Sequence, residues 1–140
     1  MSSATDVEAT MLLCDSAQSV GGKLFILGGG WSIIKKTDQA MSMALAVKLA
    51  VPWSRSNERH RIEAVLQSDQ GAAVMHEGQE VRTEGEIEVG RPPGLTPGTP
   101  LDAAFVLTFQ GLTLESGGYV WLLRSGDDVV LARAPFRVVS

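Results

Sequence analysis

Glu84, Glu86 and Glu88 recur at every second position. On a strand the three carboxylates project from one face, with neighbours about 6–7 Å apart. Such a row, helped by backbone oxygens, could hold a hard cation such as Ca²⁺. The plainer reading is a solvated sheet face, or a charged edge that resists pairing with another chain. Cys14, His60 and His76 complete the inventory of thiol and imidazole ligands, and a structural zinc site needs about four. Cys14 follows Met11-Leu12-Leu13 and reads as a small core side chain rather than a nucleophile. His60 lies among Arg55, Arg59 and Arg61, whose charge opposes its protonation, and it is expected at the surface. His76, beside Glu77, is expected in a turn. No Gly-x-Ser-x-Gly elbow presents a serine. No catalytic residue, metal ligand or cofactor is therefore assigned, and the chain reads as a non-enzyme.

Two glycine features invite a phosphate reading and fail it. Gly22-Lys23 is followed by Leu24, and position 17 is Ala17. A phosphate loop needs a hydroxyl at the first place and a glycine at the second. Gly28-Gly29-Gly30 lacks dinucleotide spacing and has no helix after it to supply a dipole. A bend requiring positive φ between Leu27 and Trp31 is the simpler account.

Surface chemistry remains. Trp53 follows Pro52 and stands near Arg55 and Arg59, a composition common in interface anchors. It could equally cap one end of the fold. Arg91, Pro92 and Pro93 open a stretch with four prolines that runs to Pro100. It reads as a stiff crossover between sheets, and its stiffness would limit the entropy lost on docking. Arg61 completes a basic segment of net charge +2 from Arg55, whereas Glu77 to Glu88 carries −4. Trp53, Arg55, Arg59, Arg61, Glu84, Glu86, Glu88, Arg91, Pro92 and Pro93 form the candidate interaction surface. If the basic and acidic segments lie on opposite parts of one subunit, they could pair between subunits.

The elements that must position these residues are strands. In Met41 to Val51 the odd positions are all large and apolar, and the even ones are serine, alanine or lysine. Period two marks a strand with one buried face, although methionine, leucine and alanine favour helix. Weaker alternation recurs around Ile62–Leu66, Val81–Val89 and Leu101–Phe109. Tyr119–Leu123 and Val130–Val138 flank Ser125-Gly126-Asp127-Asp128 as a hairpin. Glu8–Asp15 is also taken as a strand. About eight or nine short strands without helices predict an all-β chain, a single antiparallel β-sandwich of immunoglobulin-like type, with a small barrel as the alternative. The 140 residues are 44% hydrophobic and 20% charged, which suits one domain over 1–140, with residues 1–7 flexible. That composition excludes a disordered chain, and the single cysteine excludes an intrachain disulfide scaffold.

The net charge of −4 arises after residue 70. No basic stripe suits nucleic acid. No apolar run approaches the ~20 residues of a membrane span, and no signal sequence is read at the N-terminus. A cytoplasmic location is expected.

Three passages carry a resemblance: Met11–Ala17, Gly22–Trp31, and Val89–Leu95 with Pro97–Leu101. They resemble an uncharacterised bacterial family, mainly actinobacterial, of small proteins known as a domain of unknown function. The ending from Gly118 to Val138 is similar to the closing hairpin of immunoglobulin-like sandwiches. The resemblance implies the sandwich and brings no activity, cofactor or site. A protein partner or self-association is the leading expectation. The alternative is a pocket between the sheets for a small apolar ligand or a substrate, lined by Met41, Met43, Met75, Trp31 and Trp121.

Overall fold

Period two in the sequence becomes register in the computed structural model, which describes residues 6–140. Eleven strands run in chain order: β1 (Glu8–Val20), β2 (Lys23–Gly29), β3 (Ile33–Lys35), β4 (Met41–Val51), β5 (Arg59–Ser68), β6 (Met75–His76), β7 (Gln79–Glu80), β8 (Arg82–Glu88), β9 (Leu101–Leu112), β10 (Gly117–Ser125) and β11 (Val130–Val139). The one helical element among the described residues is a 3₁₀ turn, Trp53–Arg55. No helix there is long and apolar enough to cross a membrane.

One sheet has the order β2-β1-β4-β9 and a second the order β3-β11-β10-β5-β8, while β6 and β7 form a separate small hairpin. Eight or nine antiparallel strands were expected. The additional ones, β3, β6 and β7, have three, two and two residues, too short for an alternation to show. One of them also breaks the antiparallel rule, because β3 lies parallel to β11 through Ile33–Lys35 and Arg137–Val139.

The odd residues of β4 and the even residues Ile62, Ala64 and Leu66 of β5 meet in one core between the sheets. At its centre Trp121 packs on Phe109, ring centroids 4.1 Å apart, and its indole N–H donates to the Met43 Sδ at 3.4 Å. Met41, Met43, Trp31 and Trp121 thus belong to a filled interior rather than to a pocket lining. Met75, by contrast, is exposed.

The first sheet curls over its own outer face. Strand β1 pairs with β4 from Glu8 to Cys14 and with β2 from Cys14 to Val20, changing partner at Cys14. Its far half then reaches β9, where the Ser19 hydroxyl donates to the Ala104 carbonyl at 2.8 Å. Beneath this flap Cys14, Ala44 and Ala46 form a second buried cluster, with Ala17, Leu24 and Val106 at its margin. The expectation that even positions of β4 face solvent therefore fails at Ala44 and Ala46. Their small size is what lets the flap approach the sheet. Gly28 serves the same bend: its φ is +59°, and a Cβ there would meet the Asp15 carboxylate, so only glycine suits the position.

The outer face of the second sheet is charged. Glu63 accepts hydrogen bonds from Arg82 and Arg124, and Val65, which stands opposite Arg82 and Leu122 in register, is buried together with Leu122. The expectation of flexibility for residues 1–5 lies outside the described residues. Val7, also expected to be flexible, packs against the core.

Candidate functional site

At the end of the sheets where β1 starts, a cleft of about 870 Å³ opens between them. The turn after β4 supplies Arg55, and the first residues of β5 supply Arg59, His60 and Arg61. The facing wall consists of residues 6–9, and the β10–β11 turn closes the third side with residues 125–127 and 129–131. Charge divides by wall: the arginines come from one stretch of chain, the carboxylates from Asp6, Glu8 and Asp127. Ile62, Val7 and Leu131 make the floor apolar.

His60 is buried, correcting the expectation of a surface residue. Its Nε2 lies 3.0 Å from the Arg55 carbonyl, which can only accept, so this nitrogen carries the hydrogen. The sequence held the signal: His60 shares its parity with Ile62, Ala64 and Leu66, the row that faces the core. Arg55 lies 3.8 Å from Glu58. Arg59 makes no ion pair among the described residues.

The acidic row does not stand on an opposite part of the molecule from the basic segment. Strands β5 and β8 are neighbours, with Arg59 opposite Glu88 and Arg61 opposite Glu86. Arg61 donates to Glu84 at 2.5 Å, which raises the guanidinium pKa and lowers that of the carboxyl, in each case chiefly through the hydrogen bond. The pairing imagined between subunits is thus made within one chain for this pair. Among the described residues no three histidine, cysteine, aspartate or glutamate side chains group where they could hold a metal ion.

Trp53 is half-buried against the core. Arg91 folds over it, and Ser56 joins them, so the first residue of the proline stretch is tied to the turn after β4. The stretch does connect β8 of one sheet to β9 of the other, and Pro92 and Pro93 are exposed.

A second surface was not singled out from the sequence. On the β1–β2 hairpin Gln18 stands opposite Phe25 and Ser16 opposite Leu27. Alternation therefore puts Val20, Phe25 and Leu27 on the face turned away from the flap's buried cluster. They are 57%, 57% and 70% exposed. Strand β2 is also a sheet edge, with no strand beyond it among the described residues. In the sequence Lys23 is followed by four large apolar residues, Leu24 to Leu27. What hid their exposure is the curl, which turns one face of the hairpin outward.

A family model covers residues 9–139, nearly the whole chain. The chain belongs to DUF6941, a family of unknown function. No curated protein matches this member of the family. Solved structures show similarity of fold. An alkylpurine DNA glycosylase, AlkC of Pseudomonas fluorescens, matches with a TM-score of 0.53 and 9% identity over 96% of this chain and 30% of its own. A β-glucosidase from Listeria innocua matches with a TM-score of 0.51 and 9% identity over 96% of this chain and 16% of its own. The chain thus spans less than a third of either protein, and at such identity the likeness concerns the fold alone.

Proposed function

We propose that the chain is a one-domain, non-enzymatic protein-interaction module of a bacterial cytoplasm. Its two facing sheets are read as an immunoglobulin-like sandwich, and its nearest partner is a second copy of itself. The observation that carries this is the outward row Val20, Phe25 and Leu27 on an edge strand. Natural edges are usually guarded by charge, proline or a covering element, and residues 24–30 have neither charge nor proline. Two copies of β2 laid antiparallel about Phe25 bring Lys23 of each against Leu27 of the other. The net charge of −4 lies elsewhere, so no like charges meet at this face. An apolar contact of this kind persists in salt, unlike exposed ion pairs.

Sedimentation velocity from micromolar to near-millimolar concentration tests this. Wild type is expected to pass from monomer to dimer at both low and high salt, and Leu27→Glu to remain monomeric. A wild-type chain that stays monomeric throughout overturns self-association.

A second reading, a module that holds a guest between the sheets, rests on the cleft, whose volume lies in the range of ligand-holding pockets.

A further inference from the structure

We infer that the cleft takes a short apolar peptide with both termini free, its carboxylate held by Arg59 and its ammonium by Asp127. This rests on the second reading above, a guest held between the sheets, and names the chemistry of that guest.

Charge supplies the first argument. Of the three arginines that line the cleft, Arg61 is engaged by Glu84 and Arg55 lies beside Glu58. Arg59 has no ion pair among the described residues, and neither has Asp127 on the β10–β11 turn. Both line the cleft, yet they do not pair with each other. Asp6 and Glu8 add negative charge there but are already engaged, which leaves Asp127 to meet a guest cation. A guest of one sign is repelled by part of this lining. A guest with an anion and a cation held apart meets a partner at each end. The planar fork of Arg59 suits a carboxylate, and the Asp127 carboxylate suits an ammonium.

His60 supplies the second. Its Nε2 donates to the Arg55 carbonyl, so in the neutral ring Nδ1 can only accept. The ring lines the same cleft. An acceptor in that place favours an ammonium over a second carboxylate.

Shape supplies the third. The cleft, of about 870 Å³, has an apolar floor at Val7, Leu49, Ile62 and Leu131. Such a floor suits aliphatic side chains between the charged ends. In a free amino acid the two charges flank one carbon. The termini of an extended dipeptide stand about 7 Å apart, which fits two side chains that do not reach each other.

The test titrates valyl-leucine into the full chain, read by amide shifts and calorimetry. Its N-acetylated, C-amidated and doubly blocked forms accompany it, with free leucine. Valyl-leucine is expected to bind saturably and to move the amides of Val7, His60 and Asp127. Each blocked form and leucine are expected to bind at least ten-fold more weakly. Arg59→Gln, whose spectrum reports its fold, is expected to weaken valyl-leucine at least ten-fold and to take nothing further from the amidated form. Asp127→Asn is expected to do the same toward the acetylated form. Equal binding by either variant overturns the inference, as does equal binding of leucine. Equal binding of the doubly blocked peptide in the cleft also overturns it, while the guest reading stands. Absence of cleft shifts with every probe at 10 mM, roughly the limit of weak recognition, overturns both. Leu27→Glu is expected to bind valyl-leucine as wild type does, so failure here and failure of self-association give different results.

Discussion

The guanidinium of Arg91 lies over the Trp53 ring, 4.3 Å from its centroid, and donates to the Trp53 carbonyl at 2.9 Å. Its Nε donates to the Ser56 hydroxyl at 2.6 Å, and that hydroxyl donates to the same carbonyl at 2.8 Å. The start of the crossover from β8 to β9 is thus pinned to the turn that follows β4.

Arg91→Ala is expected to lower stability by about 1–2 kcal/mol. A cation–π contact near the surface contributes about 0.5–1 kcal/mol and each net hydrogen bond about 0.5–1.5 kcal/mol. Lysine carries the charge without the planar fork, so Arg91→Lys should recover less than half of the loss. Urea unfolding of the three proteins measures both values, and an Arg91→Ala midpoint equal to wild type contradicts the assignment.

Ala46→Leu is expected to destabilise by about 1–3 kcal/mol, the usual cost of extra methylenes in a packed site. The added side chain would enter the cluster under the flap, where Ala46 is 2% exposed. Faster amide hydrogen exchange at Leu24 and Ile26, with little change at Trp121, would locate the strain in the flap rather than in the main core.

Burial, and after it the charge of Asp15, pushes the Cys14 thiol above its ordinary value of 9.0. The folded state thus holds this proton more tightly than the unfolded one. That contribution to stability is complete below the ordinary value and fades as pH rises through the raised one. Cys14→Ala should show a flatter alkaline limb of stability against pH. In wild type the thiol should react with a disulfide reagent only once denaturant is added.

Glu84 behaves in the opposite sense. The hydrogen bond from Arg61, and then the Arg61 charge, hold its carboxyl below the ordinary 4.5. This contribution is present above that value and disappears as pH falls through the lowered one. Glu84→Gln should therefore flatten the acid limb below about pH 4.5 and change little at neutral pH, because exposed pairs are weak. An unchanged acid limb would show the pair to be energetically silent.

Much of the strand content was legible because one face of a half-buried strand announces itself at period two. The Met41–Val51 reading and the Ser125–Asp128 turn are both found. Periodicity describes a strand's own faces and not what later covers them, so the burial of Ala44 and Ala46 by the flap left no trace. The short β3 carries too few residues for a pattern, and its parallel pairing with β11 arises from contacts about 100 residues apart. Arg55, Arg59 and Arg61 were read as a surface, and the structure sets all three beside the cleft. Its other walls come from residues 6–9, 125–127 and 129–131, which no spacing rule links to them.

The change of partner at Cys14 bears on how the chain reaches this fold. Cys14 is matched to Gly29 on one side and Ala44 on the other. The hairpin with β2 closes a short loop, whereas β4 must find β1 across about 30 residues and β9 across about 60. Loops of such length are costly to close before their contacts form. The hairpin is thus expected to form early and to wait, its apolar outer row uncovered, while the distant strands assemble over milliseconds to seconds. During that interval the edge that suits a second copy is also the one most open to untimely aggregation.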